Sequence, residues 1–218
     1  MDMKKIVYSI LLPVVLLIAT KAGAQTYGSG VNVLNVGVGF GYSLGWSSGI
    51  NATPVISTSF EHGQMLLGPG TLGLGASLSY QGAKWDYIDG YGDSYHETWK
   101  IFFFGLRGTW HPDFLVSDKY DVYLGAQLGY YHYGYTYTES GPYVNNYHYS
   151  NPYSSHVGIG AFVGGRYYFT QNFGVFGEAG YDISYLKLGV ALKFGNVKEY
   201  LLLKTIACFH KESRRFFL

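Results

Sequence analysis

The chain has 218 residues, 31 of them Gly and 23 Tyr, with 19% aromatic and only 13% charged residues, against roughly 25% charged in ordinary soluble domains. A net charge of +1 conceals a division: residues 25–194 hold seven Lys/Arg against eleven Asp/Glu, and residues 195–218 hold five basic and two acidic residues. Near-neutral mean hydropathy excludes a bundle of membrane helices, and no clustered basic face points to nucleic acid.

In chain order, the first segment reads as a secretory signal spanning residues 1–24. Lys4 and Lys5 supply a basic start, Ile6 to Ala19 an apolar stretch, and Ala22-Gly23-Ala24 a small-residue cleavage site. The mature protein is expected to begin at Gln25. An uncleaved membrane helix is the rival reading, but the stretch falls short of the ~20 residues a span needs and contains Pro13. No Cys follows the cleavage site, so a lipid anchor is not expected, and the single Cys208 allows no intramolecular disulfide.

Eight candidate strands follow, near 32–45, 54–62, 71–82, 98–110, 120–134, 156–169, 173–181 and 184–194. In the first, Leu34, Val36, Val38 and Phe40 alternate with Asn35, Gly37, Gly39 and Gly41; the third and fifth repeat the pattern. Ile101-Phe102-Phe103-Phe104 in the fourth is apolar on both faces and leaves its phase open. In the last, Leu186, Leu188, Val190, Leu192 and Phe194 share one face, opposite Tyr185, Lys187, Gly189, Ala191 and Lys193. One aliphatic face and one small, polar face on successive strands is the pattern of a transmembrane β-barrel. A sheet in hydrocarbon must close, because an open edge would leave backbone groups unbonded. The expected fold is therefore all-β: an eight-stranded antiparallel up-and-down barrel over residues 25–194. With periplasmic termini, the long connections near 46–53, 83–97 and 135–155 fall outside the cell and the shorter turns inside.

An eight-stranded barrel is only wide enough for side chains to fill it. The strand phases point Glu61, Arg107, Gln127, Arg166, Glu178, Lys187 and Lys193 inward. Buried charges must pair or cost several kcal/mol each, so Arg166 is expected beside Glu178 across the turn 170–172, and Glu61 beside Arg107. Two readings of such a lumen stand: a structural ion-pair plug, or a gated polar conduit.

The segments Pro54–Glu61, Lys119–Tyr130, Gly165–Phe169, Phe173–Tyr181 and Tyr185–Phe194 resemble the small outer-membrane β-barrel proteins common in Bacteroidetes, similar in architecture to the OmpA, OmpX and OmpW barrels. The resemblance covers most of residues 30–194 and implies an outer-membrane location, contact with membrane lipids and lipopolysaccharide, and insertion by the barrel-assembly machinery. It also implies that the closing strand carries the assembly signal, with Tyr185, Leu188, Val190, Leu192 and Phe194 as its candidate residues. Activity does not follow from a shared fold. The chain departs from the pattern by continuing past the terminal aromatic: residues 195–218 form a basic and apolar tail, read as disordered, helical, or a read-through or frameshifted end.

Other chemistry is thinly represented. His132, His148 and His156 match no zinc spacing, and Asp86, Asp89, Asp93 and Glu97, with Tyr87 and Tyr91, lack the register of a calcium loop. Those acids are read as solvated loop charge. Ser94, His96 and Glu97, or Ser154, Ser155 and His156, form no nucleophile motif, so no catalytic residue, metal or cofactor is expected. Trp46, Trp85, Trp99 and Trp110 are read as interfacial anchors. The expected role is structural or interactive, with an extracellular ligand met by the loop residues Tyr135, Tyr137, Tyr143, Tyr147, His148 and Tyr149. A small-solute channel or OmpW-like lateral conduit is the alternative, and a lipid A-modifying enzyme the minor one.

Overall fold

The computed structural model describes residues 27–42, 50–141 and 154–195. The expected signal segment, the tail beyond Gly195, Trp46, Cys208 and the loop candidates Tyr143, Tyr147, His148 and Tyr149 lie outside the described residues.

Nine strands are present among the described residues: β1 (Asn32–Tyr42), β2 (Ile50–Ala52), β3 (Val55–Leu66), β4 (Gly70–Ile88), β5 (Ser94–Pro112), β6 (Tyr120–Ser140), β7 (His156–Tyr168), β8 (Phe173–Tyr181) and β9 (Ser184–Phe194). Every pairing between them is antiparallel. Each strand from β3 to β9 pairs with the next, and β1 pairs with both β3 and β9, so the sheet closes. The ring has eight staves rather than nine because β2 continues the line of β3 along β4, where Ala52 faces Ala83 and Ile56 faces Tyr80. Pro54 has no N–H to donate and interrupts the ladder there, and the Thr53 hydroxyl and backbone bond Gly82 across the gap.

The alternating residues divide as their polarity requires. Asn35, Ser57, Ser59, Ser77 and Ser79 are buried inside, while Val36, Ile56, Leu78, Leu106 and Leu128 stand on the outer wall, between 43% and 64% exposed. The ambiguous segment of β5 is settled by register: Ile101 and Phe103 are buried inside, and Phe102 and Phe104 are more than half exposed outside. Inward glycine makes room for inward rings. A Cβ at Gly164 would come within 2.5 Å of the Tyr123 ring, which is itself fully buried.

Three strands run well past the rest. β4 and β5 have 19 residues and β6 has 21, against 9 in β8 and 11 in β9. The connection expected over 83–97 is therefore mostly ladder, with a short turn at 89–93. Asp89 accepts the N–H groups of Tyr91 and Asp93, each at 2.9 Å, and Gly92 takes the left-handed conformation (φ 88°) that closes the turn. Although desolvation opposes it, these backbone donors hold the Asp89 carboxyl below its ordinary range. The expected boundaries of β4, β5 and β6 fell short because aliphatic alternation marks only the part of a strand with an apolar side, and the extensions carry Tyr, Trp, Thr and charge on both faces.

Replacing Gly164 by Leu should displace Tyr123 and lower the barrel's unfolding midpoint, at the ~1–3 kcal/mol typical of overpacking. Gly108→Ala, whose Cβ meets only Leu74 at 3.8 Å, should leave it unchanged. Heat-modifiable gel mobility of the refolded variants reads both; equal midpoints would mean that Tyr123 does not rest against this glycine.

Candidate functional site

The lower half of the lumen, toward the chain termini, holds a buried charge network contributed by five strands. Arg166 of β7 reaches Asp121 of β6 at 2.9 Å and Glu61 of β3 at 3.2 Å. Arg107 of β5 reaches Glu178 of β8 at 2.6 Å and lies 3.9 Å from Glu61. His111, fully buried, sets Nδ1 2.7 Å from Asp121 and Nε2 2.8 Å from Glu61. Ionised carboxylates only accept, so a ring held between two of them donates from both nitrogens, which is the imidazolium form. Three carboxylates then face two guanidinium groups and one imidazolium, and the cluster is neutral. The guanidinium of Arg166 lies over the Tyr123 ring at 4.3 Å and that of Arg107 over Phe162 at 4.4 Å. Tyr27, entering from the segment before β1, stacks on His111 at 3.6 Å.

This geometry corrects the expected pairing of Arg166 with Glu178, while Arg107 does lie 3.9 Å from Glu61, as expected. Arg166 belongs with Glu61 and Asp121, and Glu178 with Arg107. The register sets Glu178 opposite Gly164 while Arg166 faces Phe176, and in so narrow a barrel a long side chain reaches across the lumen as easily as along it. His111 was missed because its strand was expected to end at residue 110, although it shares the phase of Arg107 and Thr109; Asp121 lay inside its expected strand, in the inward phase of Tyr123 and Gln127, and was not counted among the lumen charges. Tyr27 lies outside any alternating run and left no signal.

Above the network, Lys187 pairs with Asp182, which also accepts Gln127 at 2.7 Å, and Gln127 accepts Ser77 at 3.1 Å. The cavity beside Phe162, Glu178, Asp182 and Lys187 measures about 10 Å³, room for roughly one water molecule. Higher still, Val55, Ala83, Ile101, Phe103, Tyr131 and Ile183 pack into a buried apolar cluster. Ile183, from the tight β8–β9 connection, is fully buried among them. The described lumen side chains thus pack in two layers, ionic below and apolar above.

Beyond the apolar cluster the extensions of β4, β5 and β6 form a three-stranded sheet with two unlike faces. On the face continuous with the lumen, Ala83, Trp99 and Tyr135 align across the strands, then Trp85, Glu97 and Tyr137, then Tyr87, Tyr95 and Glu139. Lys84, Asp86, Thr98, Lys100, Thr136 and Thr138 occupy the other face, where Asp86 holds His96 at 2.6 Å. Trp85 and Trp99 thus line the inner face instead of anchoring at an interface; Trp110, bonded to the Leu67 carbonyl at 3.1 Å, is near the terminal end of the outer wall. Trp85 stacks on Tyr87 at 5.5 Å and Tyr87 on Tyr95 at 6.0 Å. Between these rings lies a cleft of about 350 Å³, lined by Trp85, Tyr87, Asp89, Tyr95, Glu97 and Tyr137.

Of the closing-strand residues, Leu188, Val190 and Phe194 are exposed on the outer wall, Leu192 is half-buried beside them, and Tyr185 is exposed near Tyr181. Tyr135 and Tyr137 are part of β6, within the projecting sheet.

The molecule is thus a closed, eight-stranded antiparallel β-barrel. No family model matches the chain, and no curated protein matches it. Among solved structures it is similar to the N-terminal β-barrel domain of OprF from Pseudomonas aeruginosa, with 14% identity over 77% of this chain and 100% of that one and a TM-score of 0.37. It is similar to the outer membrane protein OprG from the same organism, with 10% identity over 78% and 98% and a TM-score of 0.44. Ail, the attachment invasion locus protein of Yersinia pestis, solved with the heparin analogue sucrose octasulfate, gives 10% identity over 76% and 99% and a TM-score of 0.39. The barrel assignment stands on the strand register of this chain itself.

Removing Arg107 or Glu178 alone should destabilise the barrel by about 3–5 kcal/mol, because the partner is left as an unpaired buried charge. In double-mutant cycles of urea unfolding from lipid vesicles, Arg107→Leu with Glu178→Leu, and Arg166→Leu with Asp121→Leu, should each show coupling above ~1 kcal/mol. Arg166→Leu with Glu178→Leu should show less. The strongest coupling in that last pair would restore the pairing inferred from sequence.

Proposed function

We propose that this chain is an outer-membrane β-barrel protein that acts through the sheet it projects and not through its lumen. The observation that carries the reading is the filled interior: a neutral ion network below, an apolar cluster above, and a tall aromatic sheet beyond both. The apolar outer wall supports membrane insertion, since Leu, Ile, Val and Phe side chains this exposed are at ease only in lipid. On this reading the termini and short turns are periplasmic and the projecting sheet is extracellular, as such barrels keep their longer connections outside. Lipid and lipopolysaccharide surround the wall, the assembly machinery reads β9, and the partner that defines the role meets the projecting sheet.

A second reading rests on a different observation. β7 runs to His156, but its last partner on β8 pairs Ala161 with Tyr181. Below this unpaired stretch the outer wall has a depression of about 770 Å³, lined by Leu106, Leu128, Gly160 and Tyr181 and reached by Arg107 and Gln127. That favours a lateral conduit for small solutes.

Refolded full-length protein in a planar bilayer should pass no discrete current steps; reproducible steps would favour the conduit. Leu106→Arg, at the centre of the outer wall, should lower stability in lipid by ~2–4 kcal/mol, whereas Thr136→Arg on the projecting sheet should change it little. Equal effects would remove the wall from the membrane.

A further inference from the structure

We infer that the cleft on the inner face of the projecting sheet binds an organic cation, a ligand carrying a substituted ammonium or guanidinium group. The inference rests on the reading that the sheet is the working surface, and three features point to it.

First, the cleft walls are rings. Trp85, Tyr87, Tyr95 and Tyr137 come from three adjacent strands, and the negative faces of such rings attract cations. Its volume of about 350 Å³ is at the lower end of small-ligand sites, suited to one head group rather than to a folded partner.

Second, no cation among the described residues neutralises the acid in the middle. Glu97 is half-buried, with Trp85 and Tyr137 as its cross-strand neighbours on either side. It makes no hydrogen bond or ion pair with a described residue. The neighbouring acids differ: Asp89 is engaged by the turn's N–H groups and by the Tyr95 hydroxyl at 3.3 Å, and Glu139 accepts the Tyr137 hydroxyl at 2.9 Å. A carboxylate held between two aromatic side chains on a rigid ladder, without a cation among the described residues, is a half-made ion pair.

Third, the charge is sorted by face. Asp89, Glu97 and Glu139 line or adjoin the inner face, and the lysines of this sheet, Lys84 and Lys100, are on the other. The flanking stretches 43–49 and 142–153 contain no Lys or Arg at all. A surface kept merely soluble would mix its signs; here cations are kept from the aromatic side. Two aromatic walls and a central anion select charge and size together, because a neutral ligand of the same shape leaves the carboxylate unpaired.

The test uses the full chain refolded in lipid nanodiscs, titrated calorimetrically with choline, with methylguanidinium, and with 3,3-dimethyl-1-butanol, the uncharged isostere of choline. At least one cation should bind saturably, the isostere should not, and added salt should weaken the binding. Glu97→Gln and Trp85→Leu should each reduce affinity about tenfold or more, while Lys84→Ala on the opposite face should not reduce it. Failure of both cations to saturate, equal binding of choline and its isostere, or an unchanged affinity in Glu97→Gln would overturn the inference. Gel mobility confirms that each variant is folded before it is titrated. Conductance of the same preparation separates the two claims: a silent barrel that binds no cation defeats the cleft alone, whereas a conducting one defeats the reading beneath it.

Discussion

An eight-stave barrel is about one layer of side chains wide, and everything within it must be matched in volume and in charge at once. Here the match turns on Arg166, held between Glu61 and Asp121. With His111 against the same two carboxylates and Arg107 joining Glu178 nearby, six ionic side chains neutralise one another in a space with little water. Such a cluster contributes little net stability compared with a well-packed apolar core, because desolvation offsets most of the attraction. Its value is in arrangement. Each member is wrong without the others, so the network ties β3, β5, β6, β7 and β8 to a single register, which a ring of alternating small and aliphatic residues would specify only weakly.

The barrel was legible in the sequence because its outer wall and its lumen make opposite demands on successive residues. β8 and β9 show this plainly: both are almost wholly within the apolar belt, and both were bounded correctly by alternation alone. β4, β5 and β6 show the limit of the method. Once Trp85, Asp86 and Tyr87 leave the belt, no apolar face remains to keep the period, and the ladder goes on under backbone hydrogen bonding that the side chains do not advertise. The charged lumen was partly legible for the same reason. Phase alone says that Arg107 and Arg166 point inward, but the choice of partner depends on stagger between strands and on reach across the lumen, neither of which is written in local sequence. The aromatic cleft was least legible of all, since Trp85, Glu97 and Tyr137 meet only when three strands are aligned, and singly each reads as loop decoration.

The wall's uneven height divides the molecule's labour. β8 and β9 are just long enough to cross an apolar layer, where 9–11 tilted residues suffice, and their tight connection turns Ile183 inward onto the apolar cluster. On the far side β4, β5 and β6 carry on past the other described strands, with β2 paired along the start of the β4 extension. Among the described residues, the low wall leaves the inner face of the high one open, so the surface that would be lumen in a taller barrel becomes a shelf. Rigidity reaches that shelf through continuous ladders anchored in the ion network, so its aromatic side chains are placed by strands and not by loops.

The seam between β1 and β9 gives the barrel a temporal order. Most strand pairs join neighbours in the chain and close a modest loop, but Asn32 meets Phe194 and Tyr42 meets Ser184 only when the two ends of the domain come together. Loop-closure entropy rises with separation, and contacts this remote are the slow ones. The six ionic groups all come from strands between those ends, so charge can be matched in an open, curling sheet before the seam forms. What remains for the seam is a pair of strands whose only charges are Lys187 and Lys193, zipped by main-chain hydrogen bonds, and of all the strand pairings it carries the largest loop-closure cost.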